Sequence, residues 1–300
     1  MHREQDYSSA PRLISFSMSA KPSAGNHMQS YLVCPACRAD LHIAEREYRC
    51  VSCGVSGEIR DDVFLVKPLA VAHYFDDLHE MMQQGNESPA IREMCYAQQS
   101  RLFSSMIRPG DVVVDIGCGP AIHFDKPQDC VLIGIDPSFD SIRVNRKLDV
   151  RVFGSAEAMP LRDASVDRIS LFYSIHHMIG QTMVENQDNV ISALRECGRV
   201  MRSGGTLVVF DMNPWWPAWH AQKLVWNRAR KFLGDKLDMF FWREGALRRL
   251  ADTAFPGKKV ETTTFRVSPL LVFPPVFSIP DLKVPRFLYP FDIKMYKWSF

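Results

Sequence analysis

The sequence predicts an α/β protein whose main domain is a doubly wound, mostly parallel β-sheet, preceded by a small metal-binding module. Short β-branched runs recur along the chain and end in acidic or glycine residues, as expected of buried parallel strands. Segments with helical apolar spacing alternate with these runs, which favours a layered α/β architecture. Two CxxC pairs stand close together before the first of these strands. Together these features predict one large α/β domain and a small N-terminal module.

The composition is that of a globular protein and requires no nucleic-acid partner. Of the 300 residues, 46% are hydrophobic and 23% charged, and the net charge is +2. A dedicated RNA-binding protein usually has a larger basic excess. The chain has no apolar run of the about eighteen residues that a membrane-spanning helix needs, and its first residues have no apolar signal segment. We therefore expect a cytoplasmic protein with a disordered tail over residues 1–28.

The two CxxC pairs, Cys34/Cys37 and Cys50/Cys53, predict a zinc ribbon over residues 29–68. Each pair forms a tight turn that can direct two thiolates at one ion, and two such turns complete a tetrahedral structural zinc site. The intervening residues suit a short β-hairpin. A redox dithiol and a chance arrangement are the alternatives, but a redox CxxC normally occurs singly.

The main domain begins at the buried run 111–119, which contains Asp115 and two alternate glycines, Gly117 and Gly119. Glycines at such a turn let the backbone approach a ligand closely. A dinucleotide-binding turn needs a further glycine that this one lacks. The next buried strand ends at Asp136, where a carboxylate can accept both hydroxyls of an adenosine ribose. The other elements predicted are strands at 150–153, 165–172 and 206–210 and a helix at 186–201.

Five blocks in this order resemble the motifs of class I S-adenosylmethionine-dependent methyltransferases of the type 11 kind, over about residues 105–215. The blocks are VVVDIGCG, IGIDPS, GSAEAMPL, SVDRISLFYSIHHM and RVMRSGGTLVVFD. The resemblance implies a Rossmann-like methyltransferase fold with a seven-stranded sheet, and S-adenosylmethionine as cofactor. The cofactor contacts that it implies are Asp115, Gly117 and Gly119 at the methionine moiety, Asp136 at the ribose, Pro137, Ser155 and Ala156 near the adenine, and Tyr173. The family often has aspartate where Ser155 stands.

Residues 31–68 resemble the zinc-ribbon family that includes the small activator subunit of tRNA and protein methyltransferases. The domain order is also similar to that of bacterial 23S rRNA guanine methyltransferases, in which a four-cysteine module precedes the methyltransferase domain and contacts RNA. Ribbons of this kind are fused to many methyltransferases, so the resemblance leaves the substrate open.

The candidate catalytic residues are His176 and His177 after the fourth strand and Asp211 after the fifth. A hydroxyl acceptor needs a base, whereas an amine acceptor must only be neutral. Alternatively, the two histidines only shape the pocket and Asp211 caps a helix or orients the substrate. The fourth strand does not end in the Asn/Asp-Pro-Pro-aromatic motif, which disfavours methyl transfer to an exocyclic amine.

The C-terminal third predicts a substrate cap and an irregular end. Residues 214–242 form an insert in which tryptophans and basic residues alternate from Pro217 onward, typical of an amphipathic helix. This insert is interpreted as a cap over the active site. The alternatives are a face that lies on a membrane and a basic-aromatic surface for nucleic acid. The complete organisation predicted is a tail (1–28), zinc ribbon (29–68), helical lead-in (69–108), methyltransferase core with the cap (109–268), and Pro/aromatic C-terminal wrap (269–300).

These features predict in-line methyl transfer from S-adenosylmethionine to a small-molecule, lipophilic or glycan-precursor acceptor. Two alternatives stay open: an rRNA or tRNA base methyltransferase that uses the ribbon as an RNA clamp, and a non-catalytic cofactor-binding scaffold that docks a protein partner. The expected partners are thus a methyl acceptor, with RNA and peripheral membrane contact as alternatives, and the sequence does not indicate an oligomeric state.

Overall fold

The computed structural model describes residues 24–66, 89–234, 237–265, 272–273, 284–285 and 291–300. The helices in these ranges are α1 (Ala24–Tyr31), α2 (Pro89–Ser104), α3 (Phe139–Val144), α4 (Met183–Val200), α5 (Trp216–Leu233) and α6 (Glu244–Ala254). The strands are β1 (Leu41–Ile43), β2 (Glu47–Cys50), β3 (Ser56–Arg60), β4 (Val63–Leu65), β5 (Val112–Ile116), β6 (Val131–Asp136), β7 (Val150–Phe153), β8 (Val166–Phe172), β9 (Met201–Pro214), β10 (Val260–Phe265), β11 (Val272–Phe273), β12 (Val284–Pro285) and β13 (Phe291–Ser299). No helix within the described ranges is both long enough and apolar enough to cross a bilayer.

The main-domain part of the sheet has seven strands, the number that the resemblance implies. Their order is β7-β6-β5-β8-β9-β13-β10, in which the first five are parallel and β13 is antiparallel to both neighbours. All five residues of β5 are buried because helices and loops cover both faces of the sheet. The predicted doubly wound, mostly parallel α/β fold is confirmed.

The ribbon continues this sheet instead of standing beside it. Strands β1 to β4 form an antiparallel series, and β4 pairs in parallel with β7, giving eleven strands in one sheet. Further contacts fix the ribbon to the core. Val33 N donates to Pro160 O at 2.9 Å, and the Arg162 guanidinium contacts the Asp40 carboxylate at 2.6 Å. The ribbon and the main domain therefore share one hydrogen-bonded framework.

Helix α4 shows how the sequence sets the helix layer. Thr182 caps its N-terminus by accepting a hydrogen bond from Glu185 N at 3.2 Å. One face of the helix is buried on the sheet, including Val190, Leu194 and Cys197. The helix is longer than the predicted 186–201 at its start, and β9 begins directly at Met201, so the glycines that follow lie within the strand.

No helix follows the glycine turn, contrary to the strand–turn–helix order expected there. The fourteen residues between β5 and β6 form turns and irregular loop, and they include Pro120 and Pro127. Proline lacks the amide hydrogen that a helix interior requires. Helix α2 supplies apolar cover in this region, where the Phe103 ring packs edge-on against Phe124 with centroids 4.7 Å apart.

Two predicted domain boundaries are wrong. The chain is helical from Ala24, and Met28 is buried, so the predicted tail over 1–28 is too long; residues 1–23 lie outside the described ranges. The predicted irregular wrap over 269–300 ends in a regular strand, because β13 lies between β9 and β10 and buries Tyr296 and Trp298. Of the predicted helical lead-in (69–108), the structure describes residues 89–108, which include helix α2. Residues 69–88 lie outside the described ranges.

Candidate active site

The glycine turn after β5 adopts backbone angles that favour glycine. Gly117 has φ +69° and Gly119 φ +56°, in the left-handed region that side chains rarely adopt. A Cβ at Gly117 would lie 2.4 Å from the Cβ of Ser174, so any larger residue would force β5 and the end of β8 apart. The Ser174 hydroxyl donates to Ile116 O at 2.8 Å and holds the two strand ends together. The turn is therefore packed closely against the residues that follow β8, at a position that requires glycine.

Asp136 holds this turn through its carboxylate. One oxygen accepts a hydrogen bond from Gly119 N at 2.7 Å, and the other accepts one from Ser138 N at 2.8 Å. The side chain is buried at the carboxyl end of β6, where the sequence predicts a ribose contact. A carboxylate has about four lone-pair positions and can accept several hydrogen bonds. The structure thus gives Asp136 a role in holding the turn, and its ribose contact stays a prediction.

Asp115 is a buried acid on the neighbouring strand. Burial raises the pKa of its carboxyl to about 7, although the hydrogen bond from Ser170 opposes this rise, and the charge of Asp136 adds to it. The Ser170 hydroxyl lies 2.6 Å from Asp115 Oδ1. A carboxyl with this pKa changes charge near neutral pH, and a cation bound beside it would favour the ionised form.

The predicted adenine contacts lie at the carboxyl ends of β6 and β7. Pro137 follows β6 directly and is half-buried. Ser155 caps the 3₁₀ turn Ala156–Ala158 by accepting from Glu157 N at 3.4 Å, and Ala156 is buried. The structure therefore brings these positions to the same edge of the sheet as Asp115, Gly117, Gly119 and Asp136.

Tyr173 ends β8 in a left-handed backbone conformation, with φ +54°. Its hydroxyl accepts a hydrogen bond from Gln99 Nε2 at 2.7 Å, which connects α2 to the sheet edge. Gln99 is fully buried, and its amide oxygen has no hydrogen-bond partner within the described residues. Sequence reasoning missed Gln99, because a single glutamine in a helical segment carries no motif.

His176 and Asp211 form a buried side-chain pair near the carboxyl ends of the strands. His176 Nδ1 lies 2.7 Å from Asp211 Oδ1, and both side chains are buried. A carboxylate accepts hydrogen bonds, so Nδ1 carries the proton and Nε2 is the nitrogen that can take one. Asp211 Oδ1 also accepts from Met212 N at 2.7 Å, while Oδ2 is buried without a partner within the described residues. This arrangement orients a histidine as a general base requires.

His177 is held differently from its neighbour. Its Nδ1 lies 3.0 Å from the carbonyl oxygen of Asp238, and a carbonyl can only accept, so this nitrogen is the donor. Burial lowers the pKa of His177 to about 3, with a further contribution from His176. The imidazole therefore stays neutral over the physiological pH range. The structure brings all three predicted catalytic residues together, but it gives His176 the paired geometry.

An aromatic wall stands beside the histidines. The Phe241 ring lies 4.9 Å from the His176 ring and 4.7 Å from the Phe291 ring, measured between centroids. Phe240 N donates to His176 O at 2.8 Å. The segment that follows α5 therefore lies against the histidines, which is where the sequence predicts the cap.

The four cysteines of the ribbon lie together with the geometry of a tetrahedral thiolate site. Their sulfurs all lie within 4.8 Å of one another, with Cys34 Sγ 3.6 Å from Cys53 Sγ and Cys37 Sγ 3.4 Å from Cys50 Sγ. Four sulfurs about 2.3 Å from a zinc ion would be separated by about 3.8 Å. Cys50 Sγ accepts from Cys53 N at 3.4 Å, a contact that favours the thiolate. The donor set and its spacing fit a structural zinc ion.

The sheet order and the glycines and acids at the strand ends fit the Rossmann-like methyltransferase fold that the sequence motifs predict. Residues 114–209 match the family described as Methyltransferase domain.

Two curated relatives carry names that differ in substrate. The 27-O-demethylrifamycin SV methyltransferase of Amycolatopsis mediterranei is 34% identical over 139 residues, 42% of this chain and 48% of that protein. The tRNA (carboxymethyluridine(34)-5-O)-methyltransferase ALKBH8 of Mus musculus is 26% identical over 135 residues, 45% of this chain and 18% of that protein. This chain thus spans less than half the length of either relative.

A solved structure with a similar fold is a SAM-dependent methyltransferase of Thermotoga maritima, described as a possible histamine N-methyltransferase. It is 19% identical and has a TM-score of 0.48, and the match covers 76% of this chain and 98% of that one.

Proposed function

We propose that this protein transfers a methyl group from S-adenosylmethionine to a hydroxyl of a small lipophilic acceptor. The observation that carries the proposal is the buried His176–Asp211 pair beside the aromatic wall. A histidine oriented by a carboxylate suits a hydroxyl acceptor, because an oxygen nucleophile must lose a proton during the reaction. The names of the two relatives described above place the methyl group on oxygen, which supports an oxygen acceptor.

The residues at the sheet edge fit S-adenosylmethionine. A Cβ built at Gly119 has no atom within 4 Å, so the turn leaves space on that side. We propose that Asp136 accepts the ribose hydroxyls, that Asp115 and the glycines line the methionine moiety, and that Pro137, Ser155, Ala156 and Tyr173 complete the site. When bound, the cofactor supplies a methyl group that is already activated as part of a sulfonium.

The protein's own contribution is to position the acceptor, exclude water and remove one proton. His176 Nε2 takes the proton from the acceptor hydroxyl as the oxygen becomes nucleophilic. Asp211 holds the ring in the Nδ1–H tautomer and stabilises the imidazolium that forms, as its 2.7 Å contact allows. Phe241 and Phe291 provide apolar surface for a lipophilic acceptor. His177, which stays neutral, shapes this wall and holds the segment after α5.

The test is methyl transfer from radiolabelled S-adenosylmethionine to pools of hydroxylated lipophilic compounds. Replacing His176 with Gln removes the base, so kcat should fall by roughly 10²- to 10⁴-fold while the dissociation constant of the cofactor stays unchanged. His42→Gln, at an exposed histidine of β1, is the matched control and should keep full activity. Equal kcat for His176→Gln and the wild type would contradict the proposed base.

We also propose that the four ribbon thiolates bind one structural Zn²⁺. The described cysteines form no disulfide, which fits a reducing compartment and therefore the cytoplasm. Metal analysis of the purified protein should find about one zinc per chain, and Cys37→Ser should lower that content. A wild-type protein that contains no zinc and is as thermally stable as the zinc-loaded protein would contradict this site.

RNA is the second candidate acceptor, supported by the name of the tRNA-modifying relative. Methylation of tRNA or rRNA with binding that weakens steeply as salt increases would favour this reading over a lipophilic acceptor.

A further inference from the structure

Helix α5 exposes an apolar face that the protein does not cover. Leu224 is 84% exposed and Phe232 86%, and Val225 between them is 51% exposed. At 100° per residue these three side chains fall within one 100° sector of the helix. Trp219 and Trp226 lie on the opposite side and are buried against the protein. The fold therefore uses one face of α5 for packing and leaves a second apolar face in solvent.

The charge on this helix has one sign. Residues 216–233 contain no aspartate or glutamate. Arg228 and Lys231 are exposed on the side of the apolar residues, and Arg228 lies one helical turn from both Leu224 and Phe232. Lys223 is also exposed, but its Nζ lies 5.2 Å from the centroid of the Trp219 ring, on the other side of the helix. The fourth basic residue, Arg230, points inward and donates to Leu237 O at 2.9 Å. The outward face thus combines bulky apolar side chains with positive charge.

Two tryptophans stand at the start of the same helix. Trp215 is 43% exposed and Trp216 59%. Amphipathic indole rings are enriched where apolar chains meet water at a bilayer surface. A helix with exposed Leu and Phe, exposed Lys and Arg, and tryptophan at one end has the composition of helices that lie in that interface.

We propose that α5 docks this protein on a membrane surface that carries anionic lipids. Leu224, Val225 and Phe232 enter the headgroup–acyl boundary, and the exposed cations on the same side of the helix, Arg228 and Lys231, contact lipid phosphates. RNA fits this face less well. The basic side chains would contact its phosphates and the Phe232 ring offers a surface for base stacking, but the aliphatic side chains of Leu224 and Val225 would stay in water.

The placement of α5 connects the docking surface to the candidate site. Gln222 on the helix hydrogen-bonds the backbone of Phe241, whose ring lies beside His176. If the proposed function holds, a lipophilic acceptor would reach the histidine from the bilayer side. The docking itself does not depend on methyl transfer.

Sedimentation with vesicles tests the docking without any methylation assay. The vesicles are pure phosphatidylcholine, or phosphatidylcholine mixed with phosphatidylglycerol. We expect the wild-type protein to bind the anionic vesicles and to dissociate as salt increases. Leu224→Ser combined with Phe232→Ser should weaken binding at least about tenfold, because the serine side chains lack the apolar surface whose transfer from water into the bilayer is favourable. These positions are exposed, so circular dichroism and thermal unfolding should show an intact fold.

Charge variants test the electrostatic part. Arg228→Glu with Lys231→Glu should weaken binding at least about tenfold and remove its salt dependence. The control, Arg146→Glu with Lys259→Glu, makes the same charge change at exposed positions off α5 and should bind like the wild type.

Three outcomes would overturn the proposal: no wild-type binding to either vesicle, unchanged binding of the Ser variant, or RNA binding through Arg228 and Lys231 without vesicle binding. A protein that does not bind vesicles would contradict the docking but not the proposed methyl transfer. A protein that binds vesicles but transfers no methyl group would contradict the proposed function but not the docking.

Discussion

Replacing Asp136 with Ala should destabilise the protein even when no cofactor is present. The carboxylate accepts hydrogen bonds from Gly119 N at 2.7 Å and Ser138 N at 2.8 Å. A hydrogen bond to a charged acceptor contributes roughly 1.5–3 kcal/mol. Ser138 is buried and loses its acceptor, whereas half-buried Gly119 can regain water. We therefore expect the free energy of unfolding to fall by about 2–4 kcal/mol.

Urea unfolding of the cofactor-free protein, followed by calorimetric titration with S-adenosylmethionine, separates the two roles of Asp136. The dissociation constant should also rise at least about tenfold, equivalent to about 1.4 kcal/mol. Asp140→Ala, which removes an exposed acid paired with Arg143 on α3, is the control and should change stability by no more than about 1 kcal/mol. An Asp136→Ala protein as stable as the wild type without cofactor would refute the role in holding the turn.

Three further predictions concern other sites. Because burial raises the pKa of Asp115 to about 7, binding of the cationic amino group of S-adenosylmethionine should release protons near pH 7. Calorimetry in buffers of different ionisation enthalpy should detect the proton release, and Asp115→Asn should abolish the release. His177 has a pKa of about 3 when folded and about 6.5 when unfolded. Stability should therefore fall as pH drops from about 6.5 toward 3, by up to about 1.4 kcal/mol per pH unit, and urea unfolding of His177→Gln should show a flatter profile. Gly57→Ala places a Cβ 2.3 Å from the Tyr48 ring and should cost about 1–3 kcal/mol in thermal unfolding, whereas Gly245→Ala, with 3.8 Å of room, should not.

The parallel half of the fold was predictable because each part carries a local signal. Strand β5 is a β-branched run with no charge before Asp115, so burial on both faces follows from the sequence. Asp136 ends β6 and His176 comes four residues after β8, and parallel topology brings the ends of these strands to one edge of the sheet.

The parts that sequence reasoning missed depend on long-range contacts. The prolines before residue 291 obscured β13, although the stretch Phe291–Ser299 contains no proline and is rich in β-forming residues. Its place between β9 and β10 is a tertiary property. The pairing of β4 with β7 joins residues almost ninety positions apart, and Gln99 acts through Tyr173, 74 positions away. Neither of these two contacts produces a spacing pattern in the sequence.

The pairing of β4 with β7 also determines which strands are the edge strands of the sheet. Without the ribbon, β7 would expose a row of unpaired backbone groups, the kind of rim on which chains associate and aggregate. With the ribbon in place, the outermost strands are β1, only three residues long, and β10, whose exposed positions are Glu261, Thr263 and Thr264. Short or charged rim strands resist such association. The ribbon therefore covers a sheet edge that would otherwise favour self-association. If the four cysteines bind zinc as proposed, depletion of zinc should first reduce the amount of soluble protein.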